Sequence, residues 1–294
     1  MPVRPRRSVL YMPGSNARAI EKARTLAADA LILDLEDAVA PDAKPAARQQ
    51  VCDAVRSGGF GRREIFVRIN APDTPWGADD LAAAVAAAPD AILVPKVSTP
   101  EGLVAIGGRL AALGANPKIR IWAMMETPLA ILNAKEIAAA SREPSTRLAG
   151  FVMGTNDLAK DTRAKIVPGR APMLAWLMVC VAAARSYRLD IVDGVFNDIG
   201  DAQGFARECA EARDLGFDGK TLIHPSQIES CNAAFSPSPD EVESARKILA
   251  AFDQPENFDK GVVRIDGRMV ERLHAEMARR TVAIADAIAQ SESA

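Results

Sequence analysis

Cysteine is sparse in this chain and lacks any paired pattern. Cys52, Cys180, Cys209 and Cys231 stand far apart with no CxxC among them, which argues against a disulfide framework or zinc knuckle and leaves free thiols. Excess charge of either sign is also missing. With 36 Lys plus Arg against 38 Asp plus Glu and a formal charge of −2, the chain has no general field for DNA or RNA, so no nucleic-acid partner is expected. No apolar run is long enough to cross a bilayer, and the basic start MPVRPRRSVLYMPG turns polar before a signal-peptide core could form; no membrane partner and a cytoplasmic location are expected. GxGxxG and GxxxxGK[ST] are absent, and the lone GFG at 59–61 falls before a strand, so neither a dinucleotide fingerprint nor a P-loop has support.

What is present is alternation. At 294 residues, 49% of them hydrophobic, one large core or two ordinary domains are both allowed. Short aliphatic runs begin near Ser8, Ala30, Glu64, Ala91, Ile119, Leu148, Asp190 and Gly219, separated by alanine-rich segments of helical composition. Eight nearly continuous apolar runs are what parallel strands show when helices cover one face and a barrel interior buries the other. A (β/α)₈ TIM barrel over residues 1–234 is therefore expected; a doubly wound sheet would need a strand-order reversal that sequence does not display. Helices are expected at Ala17 to Ala28, Lys44 to Val55, Asp79 to Ala88, Pro100 to Leu113, Pro128 to Ala140, Pro172 to Tyr187 and Asp201 to Leu215. Residues 235–294 form a helical and hairpin extension: a helix after SPSP, a hairpin at the DG of VVRIDGRMV, and a last helix from about Glu271 to Ala289. A lid or an oligomer contact is the expected use of this extension.

Polar residues come last in the runs: Asp34, Glu36 and Asp37; Arg68 and Asn70; Lys96; Glu126; Asn156 and Asp157; His224. In a barrel these ends converge on one mouth. If Glu126 and Asp157 end consecutive strands, they lie about one strand spacing apart, ~5 Å. That suits a shared Mg²⁺ held by hard oxygen ligands; acid/base work by a repelling pair or simple capping are the alternatives. Arg68 in VRIN can grip a carboxylate or stabilise developing negative charge, or form a salt bridge inside the barrel. Glu36 and Asp37 can orient Arg68 or hold metal-bound water, and Asp34 can fix a strand end. Lys96 can bind an anion or support an ion pair. His224, in LIHP, reads first as a turn-satisfying imidazole, and His274 has still less support for chemistry.

The motifs RRSVLYMPG, ALILDLEDAVAPDAKPAAR, VRIN, ILVPKV, METPLAILNAKEIAAA, GTNDLAKD, DGVFNDIGD and GFDGKTLIHPSQIESCNAAFSPSPDE together resemble the citrate lyase β-subunit-like branch of the HpcH/HpaI aldolase family, from about Arg6 to Met269. The resemblance implies a (β/α)₈ barrel that assembles as a homotrimer or hexamer and cleaves or forms carbon–carbon bonds in acyl-CoA substrates. It implies Mg²⁺ on Glu126 and Asp157, and Arg68 on the substrate and the developing enolate. Coenzyme A enters as part of the substrate, with its phosphates near Lys22 or Arg24. The implied reaction splits a 3-hydroxyacyl-CoA such as malyl-CoA or citramalyl-CoA into acetyl-CoA and a 2-oxo acid. A thioesterase or a class II aldolase acting on a 2-oxo acid at the same enolate site, and a catalytically silent scaffold barrel, are the alternatives.

Three departures from the family pattern stand out. Asn156 replaces an acidic residue before Asp157. REPSTR at 142–147 lengthens the route between Glu126 and Asp157 and is expected to reshape the entrance. The tail segment, which in CoA lyases ends in an acid/base aspartate supplied by a neighbouring subunit, reads DGRMVE here and puts Glu271 in that place, with Asp266 as a nearby substitute.

Overall fold

The computed structural model describes residues 4–292. They fall into two compact units: Arg6–Ala234, and a second running from Phe235 with residues 4 and 5 joined to it. In the first, β1 (Ser8–Pro13), β2 (Ala30–Asp34), β3 (Glu64–Arg68), β4 (Ala91–Val94), β5 (Arg120–Met125), β6 (Leu148–Met153), β7 (Asp190–Asp193) and β8 (Gly219–Leu222) close into a parallel barrel in chain order, β8 pairing with β1. All eight aliphatic runs are strands. Both faces of these strands are buried, every residue of β2, β3, β4 and β8 included, and Val9, Ile32, Phe66, Leu93, Trp122, Met124 and Val152 belong to one buried cluster. Phe66 meets Trp122 edge-on at 5.3 Å. Gly150 makes this possible, since a Cβ there would lie 2.6 Å from the Trp122 ring.

Helices follow each strand, with local differences from expectation. The first stops at Ala23 rather than Ala28. The segment expected as one helix from Pro128 to Ala140 is two, Pro128–Leu132 and Ala134–Ala139, because Asn133 leaves helical geometry and donates its side-chain amide to the Ser98 carbonyl. An unexpected helix, Thr155–Thr162, starts immediately after β6 inside GTND. REPSTR does not touch the entrance. It folds into 3₁₀ turns that lead into the start of β6, and Arg147 there donates to the Ala115 and Asn116 carbonyls before β5. A helix-to-strand connection arrives at the N-terminal end of the barrel, the face opposite the mouth.

The second unit contains the helix Pro239–Phe252, whose start is closed by a reciprocal Ser238/Glu241 capping box. Strands β9 (Val262–Ile265) and β10 (Arg268–Glu271) pair antiparallel around Asp266-Gly267, both with positive φ, as a two-residue hairpin turn requires. The helix Arg272–Glu292 follows. Phe252, Val263 and Ala275 form this unit's own small core. Among the described residues no helix is long and apolar enough to cross a membrane.

Candidate active site

Arg68, the last residue of β3, is buried and organises one side of the mouth. Its Nε and Nη2 donate to the two oxygens of Asp34, each at 2.6 Å. Nη1 donates to Asp37 at 3.2 Å and lies 2.8 Å from Glu36 Oε2, and the guanidinium sits 5.0 Å from the centre of the Tyr11 ring. The planar fork is therefore spent on Asp34, within the barrel; only the Nη1 edge faces the more exposed carboxylates. Asp34 also accepts the backbone amides of Glu36 and Ala38. One carboxylate thus shapes the DLED loop and orients Arg68. Burial pushes the Glu36 carboxyl up to about 8 against the opposing pull of Arg68, with Glu126, Asp37 and Asp34 adding to the rise.

A second cluster lies across β4 to β6. Glu126 follows β5 and is fully buried. Its Oε1 accepts the Lys96 backbone amide at 2.8 Å. Oε2 is buried without a hydrogen-bond partner. Burial raises the Glu126 carboxyl above its ordinary value, Lys96 opposing. Gly154 leaves the room that this side chain needs: a Cβ there would stand 2.3 Å from Glu126 Cβ and 2.7 Å from Oε2. Glu126 and Asp157 are not simple strand-end neighbours. The backbone opposite Met125 is that of Met153 and Gly154, and Asp157 returns from the first turn of Thr155–Thr162. Lys96 joins the two, its Nζ lying 2.5 Å from Asp157 Oδ1 and 3.5 Å from Glu126 Oε1.

This donor set fits a hard divalent cation. Both groups are carboxylates, the buried Oε2 is unsatisfied, and a positive charge already stands on the pair. Among the described residues no group of three or more His, Cys, Asp or Glu is gathered as a complete metal cage. A pair of protein ligands is what Mg²⁺ commonly takes, with water and substrate filling the remaining positions.

A cavity of about 310 Å³ opens between the clusters; Tyr11, Asp37, Arg68, Met124, Asn156 and Asp157 are among its walls. Asn156, one of these walls, bonds reciprocally with Asn197 through their amides, at 3.1 and 2.8 Å. His224 caps the turn Pro225–Gln227, its Nδ1 accepting the Ser226 amide. Arg24 is held by Glu21 and Ser57 and stacked 4.6 Å from the centre of the Phe60 ring, while Lys22 is exposed in the last turn of its helix. Glu271, in the second unit, is exposed at the end of β10, with its amide donating to His274 Nδ1. Asp266 is taken up by the hairpin turn.

Sequence reasoning missed Lys44. Its buried ammonium donates to the carbonyls of Leu35 and Glu36 and to Asn70 Oδ1, and Asn70 in turn donates to Leu35 O and Asp80. The signal was available: Lys44 starts the helix Lys44–Ser57, where the helix dipole disfavours a cation, so some other interaction must hold it there.

Residues 7–225 match the model of the HpcH/HpaI aldolase/citrate lyase family. The chain belongs to that family. A (3S)-malyl-CoA thioesterase of Cereibacter sphaeroides is 51% identical over 97% of this chain and 96% of its own length. The citrate lyase subunit beta of Escherichia coli is 35% identical over 96% and 94%. In three dimensions the chain is similar to protein CitE from Mycobacterium tuberculosis in complex with magnesium, acetoacetate and coenzyme A, with a TM-score of 0.75 and 29% identity over 96% of this chain and 98% of that one.

Proposed function

We propose that this member of the HpcH/HpaI family is a Mg²⁺-dependent enzyme acting on a malyl-CoA-type thioester, and that it releases free coenzyme A by hydrolysis. The observation that carries the reading is the pairing, in one mouth, of an incompletely satisfied Glu126–Asp157 carboxylate pair with the carboxylate-bound Arg68. Hydrolysis is favoured by the 51% identity, over nearly the whole of both chains, to a (3S)-malyl-CoA thioesterase.

Glu126 and Asp157 would hold the ion, which when bound would orient and polarise the oxygens of the acyl group. Arg68, locked by Asp34, contributes a fixed positive charge beside the place where negative charge develops on the thioester oxygen. Glu36, poised near neutrality beside Arg68, can hold or release a proton within the mouth. Glu271 serves as a further proton donor, brought from the extension of a second copy in a homo-oligomer, and Lys22 and Arg24 are the cations proposed for the phosphates of coenzyme A. Cleavage of the C2–C3 bond to acetyl-CoA and a 2-oxo acid is the second reading, supported by family members that are citrate lyase subunits.

The test is a panel of malyl-CoA, citramalyl-CoA and free 2-oxo-acid aldols with Mg²⁺, followed for free coenzyme A and, separately, for acetyl-CoA, on wild type and Glu271→Gln. Malate with free coenzyme A is the expected product pair. Acetyl-CoA with glyoxylate would replace hydrolysis by cleavage, no turnover of any thioester would overturn the proposal, and full activity of Glu271→Gln would remove Glu271 from it.

A further inference from the structure

Lys96 has two features that a plain surface lysine lacks. It sits just beyond β4 with φ at +55°, a left-handed conformation that non-glycine residues adopt only when their surroundings hold them there. What holds it is Glu126, which accepts its backbone amide. From this anchored backbone the side chain places one ammonium on both carboxylates of the pair, 2.5 Å from Asp157 and 3.5 Å from Glu126. No other cation is in salt-bridge contact with either carboxylate among the ion pairs of the described residues, the Arg68 guanidinium being paired with Asp34, Glu36 and Asp37.

We propose that Lys96 is a tethered counter-ion for Glu126 and Asp157, which yields the pair to the divalent cation and so sets how weakly that cation binds. The inference rests on the metal reading of the pair. Two carboxylates this close, one of them fully buried, repel unless a cation neutralises them. An ammonium supplies one charge and Mg²⁺ two, and a doubly charged ion coordinated by the same oxygens repels an ammonium in contact with them. The unbranched Lys96 stem, with its side chain 37% exposed, gives the ammonium a route off the pair toward solvent. Once displaced it is still tethered within reach of Asp157, a wall of the cavity, where it adds positive charge for an anionic acyl group. Metal entry is thus an exchange of cations rather than a filling of bare charge. The protein keeps its carboxylates compensated without metal, and an anionic substrate that holds the displaced ammonium strengthens metal binding.

Calorimetric titration with Mg²⁺ of wild type, Lys96→Met, Lys96→Arg and Glu126→Gln tests this. Removing the competing charge in Lys96→Met should tighten Mg²⁺ by about tenfold, a modest part of what one contact charge pair can contribute at partial burial; Lys96→Arg, which keeps the charge, should stay near wild type. Glu126→Gln should abolish binding. If Glu126→Gln binds Mg²⁺ as wild type does, the metal reading itself fails. If Glu126→Gln loses the ion while Lys96→Met binds it equally or more weakly, the counter-ion role fails and the metal reading stands. A measurement on the unmodified chain guards against misfolded variants: reductive methylation of Lys96, followed by mass spectrometry, should rise on adding Mg²⁺, and unchanged labelling overturns the exchange.

Discussion

The two ends of the barrel handle charge in opposite ways. At the N-terminal end each carboxylate is matched to donors that the fold itself supplies. Asp29, Asp90 and Asp218 each stand one residue before a strand (β2, β4 and β8) and accept a backbone amide at the start of the preceding strand: Arg7, Ile65 and Ile191, all at 2.8 Å. Arg6 closes the bottom by pairing with Glu64 and Asp190 at 2.5 Å and lying 5.0 Å from the centre of the Trp122 ring. At the mouth two cations, Arg68 and Lys96, serve five carboxylates: Asp34, Glu36, Asp37, Glu126 and Asp157. One of those carboxylates, Glu126, keeps a buried oxygen with neither a hydrogen bond nor an ion-pair contact, and the buried Glu36 Oε2 meets Arg68 Nη1 at 2.8 Å without forming a hydrogen bond. Saturated ion pairs lock strand ends, whereas an under-compensated cluster holds free ligand capacity at a cost in stability, and in barrels of this kind the first belongs to the bottom and the second to the catalytic face.

Substitutions at the two ends should separate these roles. Arg6→Met keeps an apolar stem near Trp122 but takes the Arg6 ion pair from Glu64 and Asp190, and should cost about 3 kcal/mol of stability in denaturant unfolding with turnover per folded molecule unchanged; an equal loss of turnover would mean that the bottom shapes the site. Glu126→Gln does the reverse. Mg²⁺ binding should be lost from calorimetric titration, as expected when one of only two anionic protein ligands of a cation becomes neutral, while the melting temperature stays level or rises because a buried charge is gone. A lower melting temperature would make Glu126 a structural residue.

The smallest effect concerns Glu36. Its folded value of about 8 lies above the ordinary 4.5, so between these values the folded protein holds a proton that the unfolded chain has released. The stability this confers is complete below about 4.5 and is lost as pH rises to and through 8. Metal-free wild type should therefore lose stability from pH 5 to 8 relative to Glu36→Gln, by on the order of 1 kcal/mol once relaxation of a partly solvated site is allowed for. Parallel pH profiles of the two proteins would place the Glu36 carboxyl at its ordinary value.

Much of the fold was legible in the chain because it is written locally. Eight apolar runs, alanine-rich spacers and a DG turn each carry their own periodicity or backbone preference; the strands and the turn formed where expected, while among the spacer helices the first stops at Ala23 and the one expected over Pro128 to Ala140 is broken at Asn133. The polar residues at the ends of the runs were legible as a set, since chain order in a parallel barrel sends every strand's C-terminal end to the same face. What tertiary structure alone decided is how those residues divide the charge. Nothing in the sequence says that both oxygens of Asp34 are taken by Arg68, that Asp157 returns to Glu126 from a helical turn, or that Lys96 stands on the pair, because these contacts join residues 30 to 61 positions apart. Partner choice among so many carboxylates depends on distances of a few ångströms and on burial, and a one-dimensional pattern records neither.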